Sequence, residues 1–253
     1  MVEPSVHLPR WVELAGAHNV RDLGGLPAGG RRVRSGVLLR GDHLDDVTDD
    51  DLRVLRDEVG LRGIVDLRTA TEAPEAGEWV GSLGIARLHL PLVDMTGTTD
   101  PNQLRAEFGE DVAGVYRRML EVAAPELVAI LHFVVEEHHA PALVHCAAGK
   151  DRTGITVAVL LTAAGVDEPG IVADYVATGE RLDRIRAALA RRELYRHMQR
   201  NVPANTTMTS TAIEGVLDAL RAEDGGAEGF LVRHGAPRDT VERWRELLLE
   251  PAG

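Results

Sequence analysis

The chain's single cysteine, Cys146, lies in the run His145-Cys146-Ala147-Ala148-Gly149-Lys150-Asp151-Arg152-Thr153-Gly154. Five residues separate it from Arg152, enough to wrap a loop around one tetrahedral anion. In such a loop the backbone N–H groups point inward, and a helix beginning near Thr153 adds the positive end of its dipole. Ala147, Ala148 and Gly149 are small enough to let the backbone approach closely. The same field favours the thiolate of Cys146, the form that acts as a nucleophile. Arg152 offers a planar fork to two equatorial oxygens of a trigonal-bipyramidal transition state. The Thr153 hydroxyl can donate to the sulfur when it departs. These residue types predict covalent phosphoryl transfer, with Ala147, Ala148, Gly149, Lys150, Asp151, Arg152 and Thr153 binding phosphate. Cys146, Arg152, Asp151 and Lys150 form the expected catalytic set.

Two other anion loops fit less well. A nucleotide-binding P-loop needs glycine where Val144 stands and Ser or Thr where Asp151 stands. A sulfurtransferase loop also carries a cysteine, but His145 before it and Arg152-Thr153 after it favour phosphate chemistry. The leaving oxygen needs a proton, usually from a carboxylic acid near the loop. Two candidates stand: Asp151 inside the loop, slightly favoured, and Asp94, which follows the strand-like Ile85–Leu90 through Pro91-Leu92-Val93. Lys150 is the only lysine in the chain. A flexible point charge in an arginine-using protein suggests a task that a planar fork cannot fill. It could reach a second phosphate, hold the loop or stabilise the reacting group. His132, Glu136 and His139 share a helical face, but polar residues are expected at a helix end, and no metal or organic cofactor is predicted.

The elements that must position this loop follow from patterning. Ala142–His145 reads as a buried strand feeding the loop, and Thr153–Ala164 as a helix ended by Gly165. Gly63–Leu67 and Ile85–Leu90 read as further strands. His18–Leu23 and Arg31–Leu39 read as an N-terminal β-hairpin with its turn over 24–30. Thr48 caps a helix that has Asp49, Asp50 and Asp51 in its first turn and an apolar stripe of Leu52, Leu55 and Val59. Helices are predicted over 104–122, 125–138, 168–179, 180–199, 210–223 and 238–249. The sum is a single α/β domain over 1–253, in three layers. It has a parallel-rich central sheet and a helical C-terminal cap over about 168–253.

At every fixed position, the loop matches the HCxxGxxR[ST] signature of cysteine-dependent protein tyrosine phosphatases. Its Gly149-Lys150-Asp151-Arg152 form resembles the bacterial tyrosine-phosphatase-like group, which includes secreted mycobacterial and listerial enzymes. That group shares loop features with lipid phosphatases of the myotubularin type and the phosphatase-and-tensin type. Asn19–Gly25, Leu39-Arg40-Gly41-Asp42, Val65-Asp66-Leu67-Arg68 with Glu72, Met208–Leu220 and Gly225-Gly226 resemble the group's other segments. The resemblance implies a phosphomonoester hydrolase acting on phosphotyrosine protein, phosphoinositides, or both. The myotubularin-type likeness implies Asp151 as the acid. From another class, a phosphate-recognition module without turnover would use the same loop, but an intact Cys146–Arg152 pair counts against it.

Composition limits the partners. Twenty-eight basic against forty acidic residues give a formal net charge of -12, which repels nucleic acid and anionic lipid. The expected partners are therefore phosphotyrosine proteins or phosphoinositides met in a locally positive pocket. Arg181, Arg184, Arg186, Arg191 and Arg192 read first as a solvated face that could help attract such a substrate. One cysteine permits no intrachain disulfide. Neither a signal-peptide pattern nor an apolar run of membrane-spanning length is read, so a cytoplasmic location is expected. The pattern leaves oligomeric state and export by another route open. Arg21, Asp22, Asp66 and Arg68 are expected in buried or partly buried ion pairs that position loops.

Overall fold

A computed structural model describes residues 9–73, 84–92, 112–199 and 208–252. The sequence-predicted strand Ala142–His145 forms as read and is the centre of the sheet. We label it β8, after β1 (Arg10–Trp11), β2 (Arg21–Asp22), β3 (Pro27–Ala28), β4 (Arg31–Val33), β5 (Leu38–Gly41), β6 (Gly63–Asp66) and β7 (Ala86–His89). Six strands run in the order β1-β2-β5-β8-β6-β7. The β5-β8-β6-β7 block is parallel, and β1 and β2 add antiparallel at one edge.

Alternation along these strands sorts the core into two faces. Leu39, Ile64 and Leu143 join Leu55 of helix α1 (Asp49–Arg53, continuing as a wider turn through Glu58) on one side. Leu38, Val65 and Val144 point to the other side, into a larger cluster shared with most of the remaining helices. These are α2 (Val112–Val122), α3 (Ala124–Val135), α4 (Asp151–Ala164), α5 (Glu168–Ala177), α6 (Leu182–Leu189), α7 (Glu193–Gln199), α8 (Thr211–Ala222), α9 (Gly226–Arg233) and α10 (Arg238–Leu248). A strand buried on both faces needs a continuous apolar run, which is what Ala142-Leu143-Val144 supplies.

Local chemistry explains the element ends. Thr48 and Asp51 form a reciprocal capping box on α1, and the same Asp51 carboxylate also accepts from the backbone N–H groups of Ala15 and Gly16. Helix α4 stops at Gly165, whose φ of 89° is left-handed, as a glycine cap allows. In α10, Val241, Trp244 and Leu248 are buried at helical spacing, and the Trp244 indole N–H donates to the Leu160 carbonyl at 2.8 Å.

The N-terminal hairpin differs from the sequence reading. Arg31–Leu39 is not one strand; it divides into β4 and β5, which belong to different sheets. The two-residue turn is Gly29-Gly30, both at positive φ, joining β3 to β4. A last strand, β9 (Leu249–Pro251), pairs with β4 and completes a three-stranded antiparallel sheet. The expected 180–199 helix breaks into α6 and α7, with a 3₁₀ turn over Thr178–Arg181 preceding α6. Helix α9 was not among the helices predicted from the sequence. Gly225 takes the left-handed conformation just before it.

Candidate active site

In register, Gly41 of β5, His145 of β8 and Asp66 of β6 lie side by side, so the carboxyl ends of three parallel strands open at one place. Such a crevice at the carboxyl ends is where open α/β sheets hold ligands. The segment Cys146–Lys150 bridges β8 to α4 there, flanked by residues that follow β5 and β6.

The loop's carbonyl oxygens are turned outward and held. Ala147 O accepts from the His43 backbone N–H at 3.1 Å. Ala148 O and Gly149 O both accept from the Asn19 side-chain amide, at 2.9 and 3.2 Å. Gly149 O also accepts from Arg40 Nη2 at 2.7 Å. With the carbonyls fixed outward, the N–H groups face the other way, and those of Ala147 through Thr153 find no acceptor among the described residues. A row of N–H groups without acceptors has the form that an anion-binding nest requires. Gly149 is indispensable to it: its φ is 65°, and a Cβ there would lie 2.4 Å from Gly41 O and 2.7 Å from Asn19 Nδ2.

Arg152 Nη1 and Nη2 each donate to one oxygen of Glu72 at 2.6 Å, and Nη1 also donates to Leu67 O at 3.2 Å. A guanidinium has five N–H groups, so Nε–H and one Nη2–H remain, on a single edge. That edge is a second bidentate fork, the right shape for two phosphoryl oxygens. Glu72 also accepts from Thr69 N at 2.8 Å and from the Tyr195 hydroxyl at 3.1 Å. Burial raises the Glu72 carboxyl, but Arg152 outweighs it and the net shift is downward. Sequence reasoning singled out Glu72 only as part of a motif; its clamp on Arg152 needs the fold to bring residues 80 positions apart together.

Cys146 is 3% exposed. Ile185, Leu189 and Tyr195 from α6 and α7 pack against Ala147 and Ala148. Thr153 is fully buried, and its hydroxyl makes no hydrogen bond to Cys146 or to any other described residue. Asp151 is half-exposed at the first turn of α4; its Oδ1 accepts from the Tyr116 hydroxyl and lies 3.5 Å from Lys150 Nζ. Tyr116 also meets the Tyr175 hydroxyl at 2.9 Å. Burial raises the Asp151 carboxyl, yet Lys150 and Tyr116 outweigh it and leave it below the usual carboxylate range. Asp94, the other acid candidate, lies outside the described residues. Among the described residues no group of carboxylates and histidines is arranged to hold a metal. Glu136 turns to Thr240 and Arg243, away from His132 and His139, which face Glu137.

A buried ionic frame supports the loop. Arg21 and Arg40 share the Asp174 carboxylate at 2.7 and 2.6 Å, and Arg21 Nη1 donates to the Asn19 side-chain oxygen. Asp42 accepts from the His18 and Asn19 backbone N–H groups, fixing the approach to Asn19. On the other side, Arg68 bridges Asp66 at 2.9 Å and Asp45 at 2.6 Å. Burial pushes the neighbouring His145 down to about 4, so it is neutral at pH 7. Asp22 forms a partly buried ion pair, with Arg10 at 3.8 Å, and also accepts from the backbone N–H groups of Gly24 and Gly36. The presumed solvated arginine face is partly committed as well: Arg181 pairs with Glu13 and stacks on Trp11, and Arg192 pairs with Asp45 and Asp46.

Removing the shared anion tests this frame. Asp174→Asn leaves two arginines, 0% and 1% exposed at their side chains, without a counter-charge. The expected loss is about 3–5 kcal/mol, or a fall in Tm of roughly 6–20 °C. Burial raises the Asp174 carboxyl, but Arg21 and Arg40 reverse this and depress it overall. Its stabilisation is therefore complete above the unfolded value of about 3.9 and is lost as pH falls through the lower folded value. Calorimetry between neutral and strongly acid pH should show the mutant's Tm deficit shrinking at the acid end. A constant deficit would mean that the charge is not its source.

A central parallel sheet with helices on both faces, and a cysteine–arginine anion loop at the end of its middle strand, define an α/β phosphatase. The tyrosine phosphatase family model matches residues 12–250, and the chain belongs to that family. It is thus an enzyme of the phosphoric monoester hydrolase class. It is similar to the triple specificity protein phosphatase PtpB of Mycobacterium tuberculosis, 28% identical over 94% of this chain and 98% of that protein. It is also similar to a tyrosine-protein phosphatase of Nostoc commune, 25% identical over 83% of this chain and 74% of that protein. Among solved structures, Pseudomonas aeruginosa TpbA aligns over 91% of this chain and 98% of its own at 17% identity. The TM-score of that alignment is 0.39. Among the described residues no helix is long and apolar enough to cross a membrane.

Proposed function

We propose that the chain, acting as one catalytic unit, hydrolyses phosphomonoesters of phosphotyrosine protein, phosphoinositides, or both, through a phosphocysteine intermediate. The observation that carries this reading is the run of unpaired N–H groups from Ala147 to Thr153 beside the free edge of Arg152. Cys146 Sγ attacks phosphorus, the bond from phosphorus to the substrate oxygen breaks, and that oxygen takes a proton from a carboxylic acid. Water then attacks phosphorus, the phosphorus–sulfur bond breaks, and phosphate and the thiolate are released. The loop and Arg152 stabilise the transferring group in both steps. No metal or cofactor takes part in this reading. The breadth of substrate is supported by the triple specificity named for the mycobacterial relative. Lys150, beside Asp151 at the loop's rim, is the charge available to a second phosphate.

Asp151 is the acid in this reading. It is ionised in the free enzyme, and the negative charge of a bound phosphate raises it toward protonation. Asp151→Asn should lower kcat by about 10²–10⁴ on alkyl phosphates and far less on p-nitrophenyl phosphate, whose leaving group needs no proton. Asp94→Asn should leave both unchanged. The reverse pattern assigns the proton to Asp94, and equal losses on both substrates reject Asp151 as an acid. Measuring kcat/KM on matched phosphopeptides and phosphoinositides, with wild type and Lys150→Ala, tests the substrate class. A selective loss on multiply phosphorylated lipid supports contact with a second phosphate. Equal losses assign Lys150 to the reacting group or the loop.

A further inference from the structure

Resting on the reading of Asp151 as the proton donor, we propose that Tyr116 is a positioning residue that sets when Asp151 carries its proton and leaves Oδ2 as the atom that delivers it.

Two stabilising groups converge on one carboxylate oxygen. The Tyr116 hydroxyl donates to Asp151 Oδ1, and Lys150 Nζ makes its nearest approach to the same Oδ1, at 3.5 Å. Oδ2 accepts no hydrogen bond from the described residues. A proton carried by Asp151 therefore sits on Oδ2, while Oδ1 keeps its donors in either protonation state. Tyr116 itself is held in place: it is 4% exposed, its hydroxyl meets that of Tyr175 at 2.9 Å, and the two rings pack edge to face. Tyr175 in turn fills the space over Gly154, where a Cβ would lie 2.9 Å from its ring. The tyrosine pair is thus built against the helix that begins with Asp151.

The groups facing Asp151 come from each packed element. Lys150 and Arg152 flank it in sequence, Tyr116 comes from α2 and Tyr175 from α5. Arg40 acts on Tyr175 from β5, and Arg186 acts on Lys150 from α6. Burial and the Asp151 charge both hold the Tyr116 phenol well above its ordinary value. It therefore stays protonated and serves as a fixed donor to the carboxylate. Removing that donor weakens the ionised form of Asp151 more than the neutral form.

The test is the pH profile of kcat on an alkyl phosphate. Its alkaline limb reports deprotonation of the general acid in the enzyme–substrate complex. In Tyr116→Phe the limb should move to higher pH by about one to two units, as expected for losing a hydrogen bond to a charged group. Above the wild-type limb the mutant should be the faster enzyme, which a merely structural role would not produce. 3-Fluorotyrosine placed at position 116 is a stronger donor of nearly the same size. It should shift the limb the other way, and it decides the matter if the phenylalanine variant does not fold. An unmoved limb in the folded variants, with Asp151→Asn still selective for poor leaving groups, overturns the proposal and leaves Asp151 as the acid. Loss of that selectivity in Asp151→Asn overturns the acid assignment and the role of Tyr116 with it.

Discussion

Cys146→Ser is expected to remove turnover almost completely, by about 10⁴–10⁶-fold in kcat, as losses of a covalent nucleophile do. A serine hydroxyl is not ionised in the loop, whereas a thiol in a positive field readily is. Inorganic phosphate should still bind within about an order of magnitude, because the N–H groups of Ala147–Thr153 and the free edge of Arg152 are untouched by the change. The wild type, mixed rapidly with substrate and quenched in acid, should carry one phosphoryl group, and the mutant none. Near-normal turnover by the serine variant would sink the covalent mechanism. Absence of turnover in the wild type on p-nitrophenyl phosphate would favour a recognition module instead.

Gly149→Ala should cost less activity, by a different route. The left-handed backbone costs a non-glycine residue about 1–2 kcal/mol. The added methyl would also sit 2.4 Å from Gly41 O, a backbone atom in the sheet that has little room to yield. Crowding of this kind adds about 1–3 kcal/mol. If the loop relieves it by moving outward, the Gly149 carbonyl leaves Arg40 and Asn19, and the N–H groups lose their common focus. A shift of about 1 Å is enough to cost roughly 10²-fold in rate. Lower Tm, weaker phosphate binding and lower kcat should therefore appear together. A mutant with normal phosphate affinity would mean that the loop's carbonyls are not what aims its N–H groups.

The run His145–Gly154 carried most of the proposed chemistry without any fold, because a nucleophile, an anion nest and a guanidinium can all be supplied by one short stretch of chain. The strand before it and the helix after it were equally legible, since Ala142-Leu143-Val144 is apolar without interruption and Gly165 marks the helix end. The parallel-rich sheet followed from strands separated by helices. The pairing of β4 with β9 was not legible, since it joins residues that differ by 218 in number and neither segment has a distinctive pattern. The division of Arg31–Leu39 between two sheets was hidden for the same reason: both halves are acceptable strands, and only their partners separate them.

What the sequence determined was the set of candidate reacting groups, because their order along the chain fixes their spacing. What the tertiary structure decided was how those groups are aimed and charged. Glu72 aligns Arg152, Asn19 and Arg40 turn the loop carbonyls outward, Asp174 balances two buried arginines, and Tyr116 meets Asp151. Each of those contacts links residues far apart in number, and most gain strength from burial, where charge and hydrogen bonding count for more than in water. Burial and long-range proximity arise only when the sheet and helices close around β8.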